Sequence, residues 1–234
     1  MSNFDRVKTL NTMGYMFLEP DPALMAFLDH VERTQGRFAD IGTAFGHATL
    51  EALKRGGQIM AVDLDQRHLD ILLEKCPAAQ QSHLEVHCGH FPGTVSLPSN
   101  IYDGILFSRV LIFLTPHEIP LALSKIYTAL KDGGIVYITA PCPLRKKWQP
   151  LRPIYETQKS GNDPWLGRIE NLWDLMPEHK EILPNTIQLI DAPSLEHGLI
   201  QAGFKIETCA YYPTPDVSVE EAFTLTYAIA SKRP

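Results

Sequence analysis

No apolar run in the 234 residues approaches the roughly 20 needed to cross a bilayer, so no membrane span is expected. A secretory leader is not expected either, because Asp5, Arg6, Lys8, Glu19 and Asp21 interrupt the first 30 residues where an unbroken apolar stretch would have to lie. The expectation is a soluble, cytoplasmic protein. Basic charge is in deficit: 21 Lys and Arg face 27 Asp and Glu, a net charge of −6. That balance lacks the electrostatic footprint of a protein that neutralises long stretches of phosphate backbone, so nucleic acid is not the expected substrate. Cysteine is sparse. Cys76, Cys88, Cys142 and Cys209 never form C-x-x-C, which points to buried free thiols rather than a disulfide framework or a structural zinc site. Internal repeats and low-complexity tracts are missing as well.

What is present is a regular alternation of strands and helices. Asp21 and Pro22 open an amphipathic helix to Arg33, and Arg37 to Ile41 reads as a strand. The turn Gly42-Thr43-Ala44-Phe45-Gly46 leads to a helix from His47 to Arg55, then a continuous apolar strand, Ile59 to Val62. Asp65 caps a helix with Leu69, Leu72, Leu73 and Cys76 on one face. Residues 83–88 alternate apolar and polar, and Gly104 to Ser108 is a further strand. Thr115-Pro116-His117-Glu118 combines a capping box with proline in the first turn, opening a helix striped by Ile119, Leu123, Ile126, Tyr127 and Leu130. Asp132-Gly133-Gly134 turns into a strand from Ile135 to Thr139. This order predicts a parallel α/β sheet with right-handed crossovers.

The alternation breaks at Pro141 and resumes at Ser194, the expected cap of a helix ending at Gly203. The strands Phe204 to Ala210 and Phe223 to Ala230, joined by a loop without a helix, must run antiparallel. The fold expected is a doubly wound, seven-stranded, mostly parallel sheet with a terminal antiparallel strand and a helical cap insertion. Residues 1–34 form an N-terminal cover and helix, 35–140 and 191–234 the core, and 141–190 the cap. Eight of the 18 prolines and all three tryptophans fall between Pro141 and Pro193. Within the cap, Asp163-Pro164 is expected to start a helix with Trp165, Ile169, Leu172, Trp173 and Met176 along one face. Trp165 and Trp173 are expected to pack the cap onto the sheet, leaving Trp148 to a pocket or the surface.

Small residues at 42, 44 and 46 let the backbone approach a ligand at the carboxyl end of the first strand, where open α/β sheets bind small molecules. Asp40, at that strand end, would repel a pyrophosphate and attract an ammonium group. Asp63 ends the second strand 21 residues after Gly42, where an acid accepts hydrogen bonds from two ribose hydroxyls. Asp65 is the competing acid, but it is better placed as a helix cap. Together these residues suggest a nucleoside carrying a cationic amino group. His83, Glu85, His87 and His90 match no metal-ligand spacing, and no metal is expected.

At this point the sequence resembles the class I S-adenosylmethionine-dependent methyltransferases over about residues 35–140 and 190–232. Asp40-Ile41-Gly42-x-Ala44-x-Gly46 resembles the family's first motif, with alanine for the central glycine. Ala61-Val62-Asp63-Leu64 resembles the second, in which the acid holds the ribose and the following apolar residue lies against adenine. Tyr102 to Ser108 is similar to the fourth strand, and Leu130-x-x-Gly133-Gly134 to the start of the fifth. The resemblance implies S-adenosyl-L-methionine as cofactor, S-adenosyl-L-homocysteine as product, and methyl transfer to O, N or C of a small-molecule acceptor. It implies a cofactor site of Asp40, Gly42, Thr43, Ala44, Gly46, Asp63, Leu64, His90, Phe91, Ser108 and Arg109. Gly89-His90-Phe91 departs from the family's Gly-Asp-apolar triplet, so His90 would either offer a ring nitrogen to the adenine edge or simply line the pocket. Candidate acceptor-side residues are Tyr15, His117, Arg145 and Trp148, with no catalytic base assigned. A nicotinamide-dependent oxidoreductase and a non-catalytic cofactor-binding protein are the alternatives.

Overall fold

The computed structural model describes residues 6–159, 161, 164–213 and 223–234. Seven strands form the main sheet: β1 (Arg37–Ile41), β2 (Gln58–Asp63), β3 (Leu84–Cys88), β4 (Tyr102–Ser108), β5 (Leu130–Pro141), β6 (Phe204–Pro213) and β7 (Phe223–Lys232). Their spatial order is β6-β7-β5-β4-β1-β2-β3. The five strands from β5 to β3 are parallel, whereas β7 runs antiparallel to both neighbours, β5 and β6. This is the doubly wound sheet with a reversed terminal strand expected from the sequence. Among the described residues no helix is long and apolar enough to cross a membrane.

The apolar strands bury both faces because successive side chains point to opposite sides. Phe38, Leu106 and Tyr137 meet α1 (Pro22–Thr34) through Leu24, Phe27 and Val31, and α2 (His47–Lys54) through Ala52 and Leu53. Asp21 caps α1, accepting the Leu24 N–H at 2.9 Å. On the opposite face Ala39, Ile105, Phe107, Val136 and Ile138 pack against α4 (Glu118–Ala129) and α7 (Ala192–Gln201). Leu69 and Leu72 of α3 (Gln66–Lys75) cover Ala61.

Several local expectations change. Leu73 is exposed, leaving Leu69, Leu72 and Cys76 as the buried stripe of α3. Cys76 and Cys142 are buried free thiols, but Cys88 is exposed, because β3 is the sheet edge. Asp132-Gly133-Gly134 is no turn before a strand: β5 already starts at Leu130, and a register shift against β4 absorbs the glycines. The capping box of α4 forms as expected, with the Thr115 N–H and hydroxyl both donating to Glu118 Oε2 at 2.8 Å. The cap of α7 is Asp191, which accepts the Ser194 N–H at 2.8 Å, so Ser194 lies inside the helix.

No helix starts at Pro164, and Asp163 lies outside the described residues. Arg168–Ile169 instead pairs antiparallel with Ile187–Gln188, and the helical pieces of the insertion are the short α5 (Arg152–Gln158) and α6 (Leu172–Leu175). The insertion has an apolar core of its own, where Trp148, Leu151, Ile169, Leu172, Met176, Leu183 and Ile187 meet Ile112 of the loop after β4. Trp173 packs on that core and donates Nε1–H to the Leu183 carbonyl at 2.9 Å. Trp165 alone of the three joins the core of the sheet.

At the other edge of the site, Arg6–Lys8 and Tyr15–Phe17 form a two-stranded antiparallel strap. Gly14 donates its N–H to the Ile182 carbonyl at 2.7 Å, tying the strap to the insertion.

Trp165 docks over Gly198 of α7, where an added Cβ would come within 2.5 Å of ring atom Cζ2. Helix propensity alone makes Gly→Ala stabilising by about 1 kcal/mol. The steric term is larger, and Gly198→Ala is expected to lower unfolding free energy by about 1–3 kcal/mol in urea titrations. A more stable variant would show that Trp165 moves aside at no cost.

Candidate functional site

The carboxyl ends of β1, β2 and β4, the turn before α2 and the strap enclose a cavity of about 200 Å³. Its wall brings together ten of the eleven cofactor-side candidates from the sequence: Asp40, Gly42, Thr43, Ala44, Asp63, Leu64, His90, Phe91, Ser108 and Arg109 line it, while Gly46 ends the turn at the start of α2 and is not on the wall. Of the acceptor-side candidates only Tyr15 is on the wall, with its ring under the Arg6 guanidinium. The other three stand outside the cavity. His117 is exposed ahead of α4, because the capping box is made by Thr115 and Glu118. Arg145 is half-buried in the insertion. Trp148 is 3% exposed, stacked on His179 in the insertion core, which corrects its placement at a pocket or surface.

The turn after β1 is stitched to β2 by the Gly42 and Thr43 N–H groups, which both donate to the Val62 carbonyl at 2.8 and 3.0 Å. Gly46 has a φ of +80°, and a Cβ there would collide with Leu72, so glycine is required on conformation and space. Ala44 also adopts positive φ, at +49°; the cost of that conformation is offset by its N–H, which donates to Asp63 Oδ2 at 2.8 Å.

Asp40 is 3% exposed, and no Lys or Arg among the described residues pairs with it. Thr49 of α2 donates to its Oδ2 at 2.8 Å and is backed by the Thr43 hydroxyl at 2.8 Å. Burial pushes the Asp40 carboxyl up from its ordinary 3.8 to about 6, against the opposing pull of these hydroxyls. Thr49 was missed as a site residue, although as a hydroxyl on a helix face shared with Ala52 and Leu53 it is a recognisable signal.

Asp63 is held by three donors. Oδ2 accepts the Ala44 N–H, while Oδ1 accepts the Asp65 N–H at 2.9 Å and faces His68 Nδ1 at 2.9 Å. A carboxylate has about four acceptor positions, so one remains, on Oδ2. His68 gave no sequence signal beyond being a histidine on the apolar side of a helix. Asp65 caps α3 as expected, accepting the Arg67 N–H at 3.0 Å.

On the β4 side, the Ser108 hydroxyl shares a 2.8 Å hydrogen bond with Thr139. Arg109 follows with a φ of +60°, and its guanidinium lies 3.9 Å from the centroid of the Phe17 ring in the strap. Desolvation lowers its pKa to about 10, opposed by nearby Asp21, so it is charged at neutral pH. It is the one Lys or Arg on the described wall, against Glu19, Asp21, Asp40 and Asp63. Phe91 is buried against Phe107, and His90 Nε2 lies 3.5 Å from Glu118 Oε1. Leu64 is half-exposed at the cavity mouth. Among the described residues no three His, Cys, Asp or Glu are grouped to hold a metal, and Glu85 is engaged by Arg37 and His87.

Residues 38–134 match the family model described as a methyltransferase domain. Among curated proteins no sequence match is found. Solved structures match in fold. An S-adenosylmethionine-dependent methyltransferase from Mesorhizobium loti is 17% identical with a TM-score of 0.66, covering 90% of this chain and 96% of its own. One from Methanosarcina mazei is 15% identical with a TM-score of 0.65, covering 92% and 99%. The 1,6-didemethyltoxoflavin-N1-methyltransferase of Burkholderia thailandensis, solved with 1,6-didemethyltoxoflavin and S-adenosylhomocysteine, is 15% identical with a TM-score of 0.61, covering 91% and 79%. Against a nicotinamide-dependent oxidoreductase stand the family match and the antiparallel β7 between β5 and β6.

The raised Asp40 pKa has a signed consequence. The folded ligand-free protein holds a proton that the unfolded chain releases between pH 3.8 and about 6, so stability is lost as pH rises through that window. Asp40→Asn keeps the acceptor for Thr49 and removes the buried charge. It should unfold at higher urea than wild type at pH 7.5, by up to about 3 kcal/mol, with the gap closing toward pH 4. Equal stability at both pH values would mean that Asp40 is not destabilised by burial.

Proposed function

We propose that this chain, a class I S-adenosylmethionine-dependent methyltransferase by its domain match and fold, methylates a small-molecule acceptor enclosed beneath the strap. The observation that carries the reading is the pairing of a buried acid with no Lys or Arg partner among the described residues, Asp40, with a second acid, Asp63, across the turn Gly42–Gly46. That donor set fits the cofactor. Asp40 would take the ammonium group, Asp63 Oδ2 one ribose hydroxyl, and Leu64, His90 and Phe91 the adenine. Gly42, Thr43 and Ala44 let the chain come close, and Ser108 and Arg109 bound the methionine end, where the guanidinium suits a carboxylate.

S-adenosylmethionine supplies an activated sulfonium methyl group, so the protein's work is alignment and exclusion of water, with a base needed only for a poorly ionised acceptor. The residues present are suited to that work. Phe17, Met13, Met16 and Phe113 give the acceptor side of the cavity an apolar lining, and the strap shields it from solvent. Tyr15 and Thr9 are the hydroxyl-bearing side chains the strap brings to the wall, and the Thr9 hydroxyl already donates to the Gly14 carbonyl at 3.1 Å. A small acceptor is favoured by this enclosure and by the acidic balance of the chain; the Burkholderia neighbour, a methyltransferase solved with 1,6-didemethyltoxoflavin bound, is consistent with a small-molecule acceptor.

Calorimetric titration with S-adenosylmethionine and S-adenosylhomocysteine should show one site per chain, and no heat with either would sink the reading. Asp63→Ala should weaken binding by roughly 1.5–3 kcal/mol, the value of one hydrogen bond to a charged acceptor. Affinity of the wild-type protein should also fall as pH drops through about 6, where Asp40 gains its proton, and Asp40→Asn should bind weakly at every pH. Binding without turnover over a broad panel of acceptors would instead support a cofactor-binding protein.

A further inference from the structure

The strap and the acid at the end of β2 share one side chain. His68, in the first turn of α3 and 1% exposed, faces Asp63 Oδ1 through Nδ1 at 2.9 Å and receives the Leu10 backbone N–H on Nε2 at 3.0 Å. Only an unprotonated ring nitrogen accepts an N–H. With Nε2 as acceptor, the neutral ring carries its proton on Nδ1, aimed at Asp63. Arg67 donates Nη2–H to the Leu10 carbonyl at 3.1 Å, so α3 engages both backbone polar groups of that strap residue.

We propose that His68 is a positioning residue that couples closure of the strap to the orientation of Asp63, the closed state requiring the neutral ring. The link to cofactor binding rests on the methyltransferase reading; the link between His68 and the strap does not. Protonation at Nε2 turns the acceptor into a donor facing the Leu10 N–H and removes this anchor, whereas the Gly14 to Ile182 bond in the same hairpin loop joins two backbone groups that do not titrate. Charged groups of both signs stand near the ring: Asp63 and Asp65, and on α3 Arg67 and Lys75; the Lys75 ammonium lies 5.9 Å from the centroid of the Phe45 ring, which packs edge-on against His68. Strap residues Thr9, Asn11, Met13, Tyr15, Met16 and Phe17 line the cavity, so releasing Leu10 opens the wall beside Asp63.

Hydrogen exchange of the Leu10 and Gly14 amides in the full ligand-free chain, corrected for intrinsic rates at pH 7.5 and 5.5, tests the coupling, with calorimetric titration of S-adenosylmethionine in parallel. In wild type, protection of Leu10 should fall on acidification at least about tenfold more than that of Gly14. His68→Asn keeps an N–H donor for Asp63 but no acceptor for Leu10. It should lose Leu10 protection at both pH values and lose the pH dependence, while binding the cofactor more tightly than His68→Leu, which lacks both contacts and should bind about tenfold more weakly than wild type. Leu10 protection unchanged in His68→Asn, or the same pH dependence in wild type and variant, would overturn the proposal. Absence of cofactor binding in wild type would overturn the methyltransferase reading and leave the exchange result decisive for the strap.

Discussion

The carboxylate of Asp63 is the joint on which the site depends. Three of its acceptor positions are filled from two elements, the turn after β1 through Ala44 and the start of α3 through Asp65 and His68. A charged group with 7% exposure is costly unless it is well hydrogen-bonded, and that cost is what draws these elements to one point. The turn cannot relax from the positive φ of Ala44 without freeing an acceptor, and α3 cannot shift without freeing two. Asp40 is the opposite case. Two threonine hydroxyls orient it, but no cation among the described residues neutralises it, and its displaced pKa records the imbalance. One acid fixes the architecture; the other is left energetically incomplete, as binding groups commonly are.

Much of the framework was legible because it rests on local rules. The alternation of apolar strands with striped helices defines the sheet, and Asp21, Asp65 and the Thr115–Glu118 box mark helix starts where the backbone begins to coil. That the cofactor-side candidates would lie together was legible for a related reason: strand ends and the first helical turn are fixed by sequence spacing, so Asp40 and Asp63 face one cavity once the sheet is known. The antiparallel β7 followed from a loop too poor in helical pattern to carry a crossover.

The failures share a physical origin in long-range packing. The periodicity of Trp165, Ile169, Leu172, Trp173 and Met176 suits a helix, yet Ile169 pairs with Ile187, 18 residues away, and the tertiary core decides against local propensity. Trp148 was misjudged because nothing in its neighbourhood shows that the insertion has a core of its own. His68 stayed silent for the same reason. Its importance lies in a contact with Leu10, 58 residues earlier, and no local spacing encodes a bond made to a backbone N–H.

The position of β7 carries a consequence for the order of assembly during synthesis. β6 lies at the outer edge of the sheet, and its neighbour there is β7, which follows it in the chain and also pairs with β5. A nascent chain that has just made β6 can pack its Phe204 against α4 and α7 but has no strand partner for it. The parallel half, from β1 to β5, can gather as it leaves the ribosome, whereas β6 waits until Phe223–Lys232 has emerged and been inserted between it and β5.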